Sequence, residues 1–205
     1  MAALPQTESE PFYDAPVTYD EWVLLPESNT KLELWNGEVI VSPAPELVHQ
    51  ILQSEIALQL GLAAKELKRS GVLVLNPPTE VFFEDGTVVE PDILILSGRA
   101  GGRRSRRGVQ GPPDLIVEFL SPGSRRHDLI HKSSLYAKFG VPEYWIVDPR
   151  NKTLIVGHLT DGMYERMMVT GGSVPCLALD GAMIDISVIE RADQFLDGET
   201  SNETD

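Results

Sequence analysis

The chain has a single cysteine, Cys176, in 205 residues, which excludes an internal disulfide and fits a reducing compartment. It lies between Pro175 and Leu177, the apolar setting of a buried, inert thiol rather than of a nucleophile. No apolar run approaches the ~18 residues needed to span a bilayer. The first residues, Met-Ala-Ala-Leu-Pro-Gln, lack the basic region and apolar core of a signal peptide, so a cytoplasmic location with no membrane contact is expected. No Gly-rich phosphate-binding loop is present, which argues against nucleotide hydrolysis. Basic residues are scarce as well: 17 Lys and Arg stand against 31 Asp and Glu, a net charge of −14 that excludes a uniformly basic surface.

The little positive charge there is has been concentrated. Arg99, Arg103, Arg104, Arg106 and Arg107 fall within nine residues that contain no acid, leaving a net −19 on the rest of the chain. The block is rich in Gly and Ser and reads as a flexible loop. Its arginine forks suit phosphate oxygens, and so DNA. The rival reading is a solvated loop, or one paired with the chain's own acids.

On either side of this block lies an apolar run interrupted by carboxylates. The first spans residues 88–96 with Glu90 and Asp92, and the second spans 114–122 with Asp114 and Glu118. Both are short, β-branched and bounded by Gly, Pro and Ser, as buried strands are. Burying an unpaired carboxylate costs several kcal/mol, so two in neighbouring strands call for a shared compensator, and a divalent cation is the natural one. Asp114 and Glu118 lie about 13 Å apart along a strand and cannot share an ion. Asp92 and Glu118 can, if their strands pair. The bland alternative is that both sit at strand ends in water. Mutual repulsion between two bare carboxylates would make Asp92→Asn stabilising in the absence of metal.

The remaining pattern frames these strands. Residues 1–16 and the acidic residues 197–205 read as tails around one domain, 17–196. Thr18 and Glu21 form a capping box ahead of a short helix limited by Pro26. Asn36-Gly37 and Asp161-Gly162 each join two strand-like runs as hairpin turns. A long helix starts at Pro45-Glu46 and repeats apolar residues at helical spacing to about residue 69, with Gly71 as its stop. Strands are expected at 72–75, 79–83 and 143–147, with a turn at Asp85-Gly86 and a helix over 128–139 that is suited to a crossover between parallel strands. The fold class is α/β, in the mixed α+β sense: a mixed sheet flanked by helices, with extra hairpins.

A Pro-Asp on one strand, an acid on the next and a lysine nearby suit metal-assisted hydrolysis of a phosphodiester, with Mg²⁺ or Mn²⁺ on the carboxylates. Pro91-Asp92, the run Asp114-Leu-Ile-Val-Glu118-Phe-Leu-Ser-Pro122, and Gly140-Val-Pro-Glu-Tyr-Trp-Ile-Val-Asp-Pro149 together resemble the bacterial "Putative restriction endonuclease" family of the PD-(D/E)XK superfamily. The resemblance implies a restriction-endonuclease-like core and Mg²⁺-dependent DNA cleavage. It makes Asp92 and Glu118 the metal carboxylates and Glu33 the acid of the first hairpin, where the bland reading is a solvated residue. It also matches His49 to a family histidine near the start of the long helix, for which capping or packing is the alternative. The superfamily places a lysine two residues after the second acid, and here that position is Leu120. Lys132 is the substitute candidate, because it shares a helical stripe with Leu129, Tyr136 and Phe139. Its alternative is a surface pair with Asp128. A silent relative that binds DNA or protein is the rival function. A glycosidase built on two carboxylates is a third reading, which the lone Phe119 beside Glu118 serves poorly. Since two cuts in a duplex call for two sites, a homodimer is expected by symmetry.

Overall fold

The computed structural model of the chain describes residues 16–25, 30–42, 44–67, 69–83, 86–121 and 127–196. The expected tails, apart from residue 16, lie outside these residues, as do Pro26, Asp85 and Pro122. Among the described residues no helix is long and apolar enough to cross a membrane.

The chain opens with α1 (Tyr19–Trp22), whose capping box is formed: the Glu21 amide donates to Thr18 Oγ1, and the Glu21 carboxylate accepts from the Thr18 amide. Strands β1 (Lys31–Trp35) and β2 (Glu38–Ser42) form the first hairpin. Its two turn residues, Asn36 and Gly37, both have positive φ, as a two-residue turn of this hand requires. Helix α2 (Leu47–Glu66) follows, then β3 (Leu73–Leu75), β4 (Glu80–Phe82), β5 (Val88–Val89) and β6 (Ile93–Leu96). Next come β7 (Arg103–Arg104), β8 (Gly108–Gln110) and β9 (Leu115–Phe119). A π-helical turn (His127–Lys132) leads into α3 (Ser133–Lys138). Strands β10 (Glu143–Asp148), β11 (Thr153–Thr160) and β12 (Met163–Val169) complete the central region, and a small ribbon of β13 (Ser173–Cys176) and β14 (Ala182–Asp185) precedes α4 (Asp193–Leu196).

Mixed sheets flanked by helices are present as expected, but the strands divide between two six-stranded sheets. One has the order β2-β1-β5-β4-β8-β7 and the other β12-β11-β10-β9-β6-β3. The single strand expected over 88–96 is therefore broken. Its first two residues pair in the first sheet, and the chain crosses at Glu90-Pro91-Asp92 to pair in the second. Pro91 has no amide to give a ladder, which makes this the place where pairing is cheapest to interrupt. The helical segment ahead of β10 does connect parallel neighbours, β9 and β10.

The second sheet is covered on both faces. On one side Val48, Leu52, Ile56 and Leu60 of α2 pack on Ile93, Ile95, Leu115, Val117 and Trp145. On the other, Leu94, Ile116, Leu120 and Ile146 meet Tyr136 of α3 and Val81, Val89 and Val109 of the first sheet. Alternation along β9 thus turns Glu118 towards the first sheet and α3, on the side of Ile116 and Leu120.

The arginine block is not an irregular loop. It forms the β7–β8 hairpin, and β8 runs parallel to β4 at the rim of the first sheet. Glycine permits that approach: a Cβ on Gly108 would lie 2.2 Å from the Glu80 carbonyl oxygen. The segment leading into the hairpin is tied down by Asp114, whose carboxylate accepts the amides of Ser97 (2.5 Å), Gly98 (3.1 Å), Arg99 (2.9 Å) and Ala100 (2.9 Å). Asp114 therefore anchors a loop, with both carboxylate oxygens engaged by its amides. Hydrogen bonds to a charged acceptor contribute ~1.5–3 kcal/mol each, without simple addition. Asp114→Ala should lower the unfolding free energy by about 3 kcal/mol in urea denaturation; an unchanged midpoint would exclude this anchoring role.

Candidate active site

The crossing between the sheets sets the site. Ile93 pairs with Val117, so one further step brings Asp92 opposite Glu118. Both are buried, at 5% and 2% exposure, so the solvated strand-end reading does not hold. Where the chain leaves the second sheet's ladder, the Asp92 side chain stands in for it: Oδ2 accepts the Phe119 amide at 2.9 Å. Gln53 of α2 holds the Asp92 backbone carbonyl at 2.6 Å.

Glu33 does the matching task on the first sheet. It is buried at 1% exposure, and Oε1 accepts the Glu90 amide at 3.1 Å, just beyond the end of β5. The same oxygen receives Lys132 Nζ at 3.1 Å, and Lys132 also reaches Glu118 Oε1 at 2.8 Å. Tyr136, four residues on, donates its hydroxyl to that Glu118 oxygen at 2.6 Å. Lys132 and Tyr136 thus share the inward stripe, beginning where the π-helical turn hands over to α3, a feature often found at functional sites. The side chains of Leu129 and Asp128 lie outside the described residues. Leu120, in the superfamily's usual lysine position, is packed in the core with Tyr136, and the ammonium beside Glu118 comes from the helix instead. Lys138 is exposed, with Nζ 4.8 Å from the centre of the Phe139 ring.

His49 is drawn into the cluster as well. Its Nε2 lies 3.4 Å from Asp92 Oδ2, its ring packs 5.1 Å from that of Phe119, and its Nδ1 is buried with no hydrogen-bond partner among the described residues. It does not cap α2. Lys31, which the sequence reading did not single out, reaches Asp92 Oδ1 at 3.0 Å. It stands two residues before Glu33 on β1 and so shares its face, the one signal that pointed to it. These groups line a cleft of about 700 Å³ that includes Lys31, His49, Gln53, Asp92, Glu118 and Lys132.

Burial alone would raise the Asp92 pKa, but Lys31, His49 and Lys132 hold it well below the usual carboxylate range. For Lys31, burial and the Lys132 charge pull its pKa down, and the carboxylates of Asp92, Glu118 and Glu33 more than offset them, for a net rise. Burial, with the charges of Glu118 and Glu33, pushes Tyr136 far up, so it stays a neutral donor. Burial also raises Glu90 on the cleft wall, with Lys31 acting against the rise.

The arginines separate. Arg99 turns to the β13–β14 ribbon, where it pairs with Asp180 and donates to the Leu177 carbonyl. Arg103, Arg104, Arg106 and Arg107 are exposed on the β7–β8 hairpin, with Arg107 also donating to the Val23 carbonyl. Three strand spacings of ~4.8 Å separate β8 from β1 and four separate β7, which puts the hairpin ~14–19 Å from the strand of Glu33.

Residues 17–187 match the Uma2 family, described as "Putative restriction endonuclease". Among solved structures, the chain is similar to a crystal structure described as a "putative nuclease" from Anabaena variabilis ATCC 29413, with 22% identity and a TM-score of 0.70 over 86% of this chain and 99% of that one. At that identity the likeness is one of fold. No curated protein matches.

The ion pairs reverse one expectation. Asp92 does not face Glu118 bare, since an ammonium accompanies each. Asp92→Asn should therefore destabilise the metal-free protein at neutral pH. Because the native pKa is depressed, the stabilisation is complete above the ordinary aspartate value of ~3.9 and fades as pH falls towards the native value. Urea denaturation at neutral and acid pH should show the wild-type advantage shrinking as the solution is acidified. A variant more stable than wild type at neutral pH would contradict this balance.

Proposed function

The chain belongs to the Uma2 family, described as "Putative restriction endonuclease", and from that premise we propose that it is a divalent-metal-dependent DNA endonuclease acting in the cleft between the two sheets. The observation that carries the reading is the opposition of Asp92 and Glu118 across β6 and β9, with Lys132 bridging Glu118 to Glu33.

The donor set fits a hard cation. The carboxylates of Glu33, Asp92 and Glu118 outnumber the ammoniums of Lys31 and Lys132, which leaves the cluster with negative charge to offer a cation. Among the described residues no three His, Cys, Asp or Glu side chains converge as a ready-made cluster. Mg²⁺ is commonly held by one or two carboxylates completed by water and substrate oxygens, so Asp92 and Glu118 suffice. Bound there, Mg²⁺ or Mn²⁺ supplies Lewis-acid polarisation of a phosphoryl oxygen. The chain's own groups do the rest. Lys132, oriented by two carboxylates, presents its ammonium to charge developing on the scissile phosphate and can orient the attacking water. Tyr136 fixes the Glu118 carboxylate, and the Phe119 amide fixes that of Asp92. Lys31 screens Asp92 from its acidic neighbours. The exposed arginines of the β7–β8 hairpin contact backbone phosphates well away from the cut, positioning DNA without reading bases.

Supercoiled plasmid incubated with Mg²⁺ or Mn²⁺ should be nicked or linearised, and EDTA should stop the reaction. Lys132→Met should abolish cutting while calorimetry still detects Mn²⁺ binding, and Lys138→Met should leave both unchanged. Asp92→Asn and Glu118→Gln should lose metal and cleavage together. A Lys132→Met protein that cuts at the wild-type rate sinks the lysine assignment. A wild type that binds DNA but fails to cut it whichever metal is supplied is the silent relative instead.

The hairpin has its own readout. Replacing Arg103, Arg104, Arg106 and Arg107 by Ser should weaken DNA binding equally for unrelated sequences. The slope of log affinity against log salt should fall by ~0.9 for each phosphate that is no longer neutralised. An unmoved slope would remove the hairpin from the interface.

A further inference from the structure

Helix α2 has a second apolar face. Its inward face is spent on the core through Val48, Leu52, Ile56 and Leu60 and on the cleft through His49 and Gln53. On the opposite side Leu47, Ile51, Leu58 and Leu62 recur at helical spacing, and Leu47, Leu58 and Leu62 are 67%, 54% and 48% exposed. A surface helix in a globular protein ordinarily has a polar outer face, and one that is apolar on both sides has a second partner to find. Gly61 lies beside this stripe. Glycine is among the poorest residues for a helix interior, and a Cβ there would meet nothing within 4 Å beyond its own helix turn, so no packing neighbour among the described residues requires it.

We propose that this stripe is a homodimer interface, in which α2 packs antiparallel on α2 of a second copy. The inference is independent of the chemistry of the cleft. Charge selects the register. Glu55 and Lys65 are exposed on the same side, flanking Leu58 and Leu62. The two pairs share one centre at position 60, so a two-fold axis there sets Leu58 on Leu62 of the second copy and Glu55 beside its Lys65, each contact occurring twice. Gly61 stands one residue from the crossing, where the helices come closest. The rival register, which pairs Leu47 with Leu62 and Ile51 with Leu58, places Glu55 next to its own copy. It also covers Gln50 and Ser54 on the cleft wall. The charges contribute alignment more than strength, since exposed ion pairs are individually weak, and the leucines supply the binding.

Size-exclusion chromatography with light scattering on the full chain should give twice the monomer mass. Leu58→Asp and Leu62→Asp should each halve it with the far-ultraviolet circular dichroism unchanged, because both side chains are already half exposed in one copy. Glu55→Lys or Lys65→Glu alone should raise the dimer Kd at least about threefold at low salt, and the double exchange should bring it back to the wild-type value. A monomeric wild type overturns the proposal, as does a dimer that survives both leucine replacements. A double exchange no tighter than either single variant overturns the register.

Discussion

Three carboxylates and one ammonium, all buried, meet where two sheets touch, and the architecture around them follows from keeping that cluster satisfied. Taking any one of these charges out of water unaccompanied would cost several kcal/mol. Each therefore carries partners from a different element: Glu33 from β1, Asp92 from the crossing, Glu118 from β9 and Lys132 from the helix after it. Removing one element would leave charges of the others exposed to that penalty. Two of the carboxylates also complete backbone pairing that the strand break interrupts, through the Glu90 and Phe119 amides. The break, the burial and the charges are one arrangement.

Net charge gave little warning of such a site. The excess of acid over base is spread over the whole chain, whereas the consequential groups are a few side chains at one junction. Arg99 illustrates how a charge run misleads. Asp180 engages it on the far side of the block, while its four companions stay exposed on an ordered hairpin. Composition counted five equivalent cations; position makes them one and four.

What could be read from the sequence was local. Asn36-Gly37 and Asp161-Gly162 turn with positive φ because two-residue turn chemistry depends on those residues alone. Alternation within β9 set Glu118 beside Leu120's face, and helical spacing put Lys132 with Tyr136, because periodicity survives whatever packs against it. What was hidden depended on distant pairing. Nothing near Glu90 announces that Val88–Val89 and Ile93–Leu96 belong to different sheets, and Pro91 only permits the break. Lys31 finds Asp92 across sixty-one positions of sequence. The arginine segment looked loose because its parallel partner β4 lies well upstream, and the close approach allowed by Gly108 is visible only in three dimensions. Asp114 carried the same signal as Glu118, a carboxylate in an apolar run, yet it is occupied with four amides of a loop.

The crossing at Glu90-Pro91-Asp92 also makes the cleft a mechanical gauge. Glu33 rides on one sheet and Glu118 on the other, and Lys132 reaches both. Any slippage of the sheets past each other stretches that span, whose hydrogen bonds tolerate only a fraction of an ångström before they weaken. Alignment of the clustered groups is thus a measurement of how well the two layers are docked. A flaw anywhere in the packing of Val81, Val89 and Val109 against Leu94 and Ile116 would be registered at the cleft before the chain as a whole came apart.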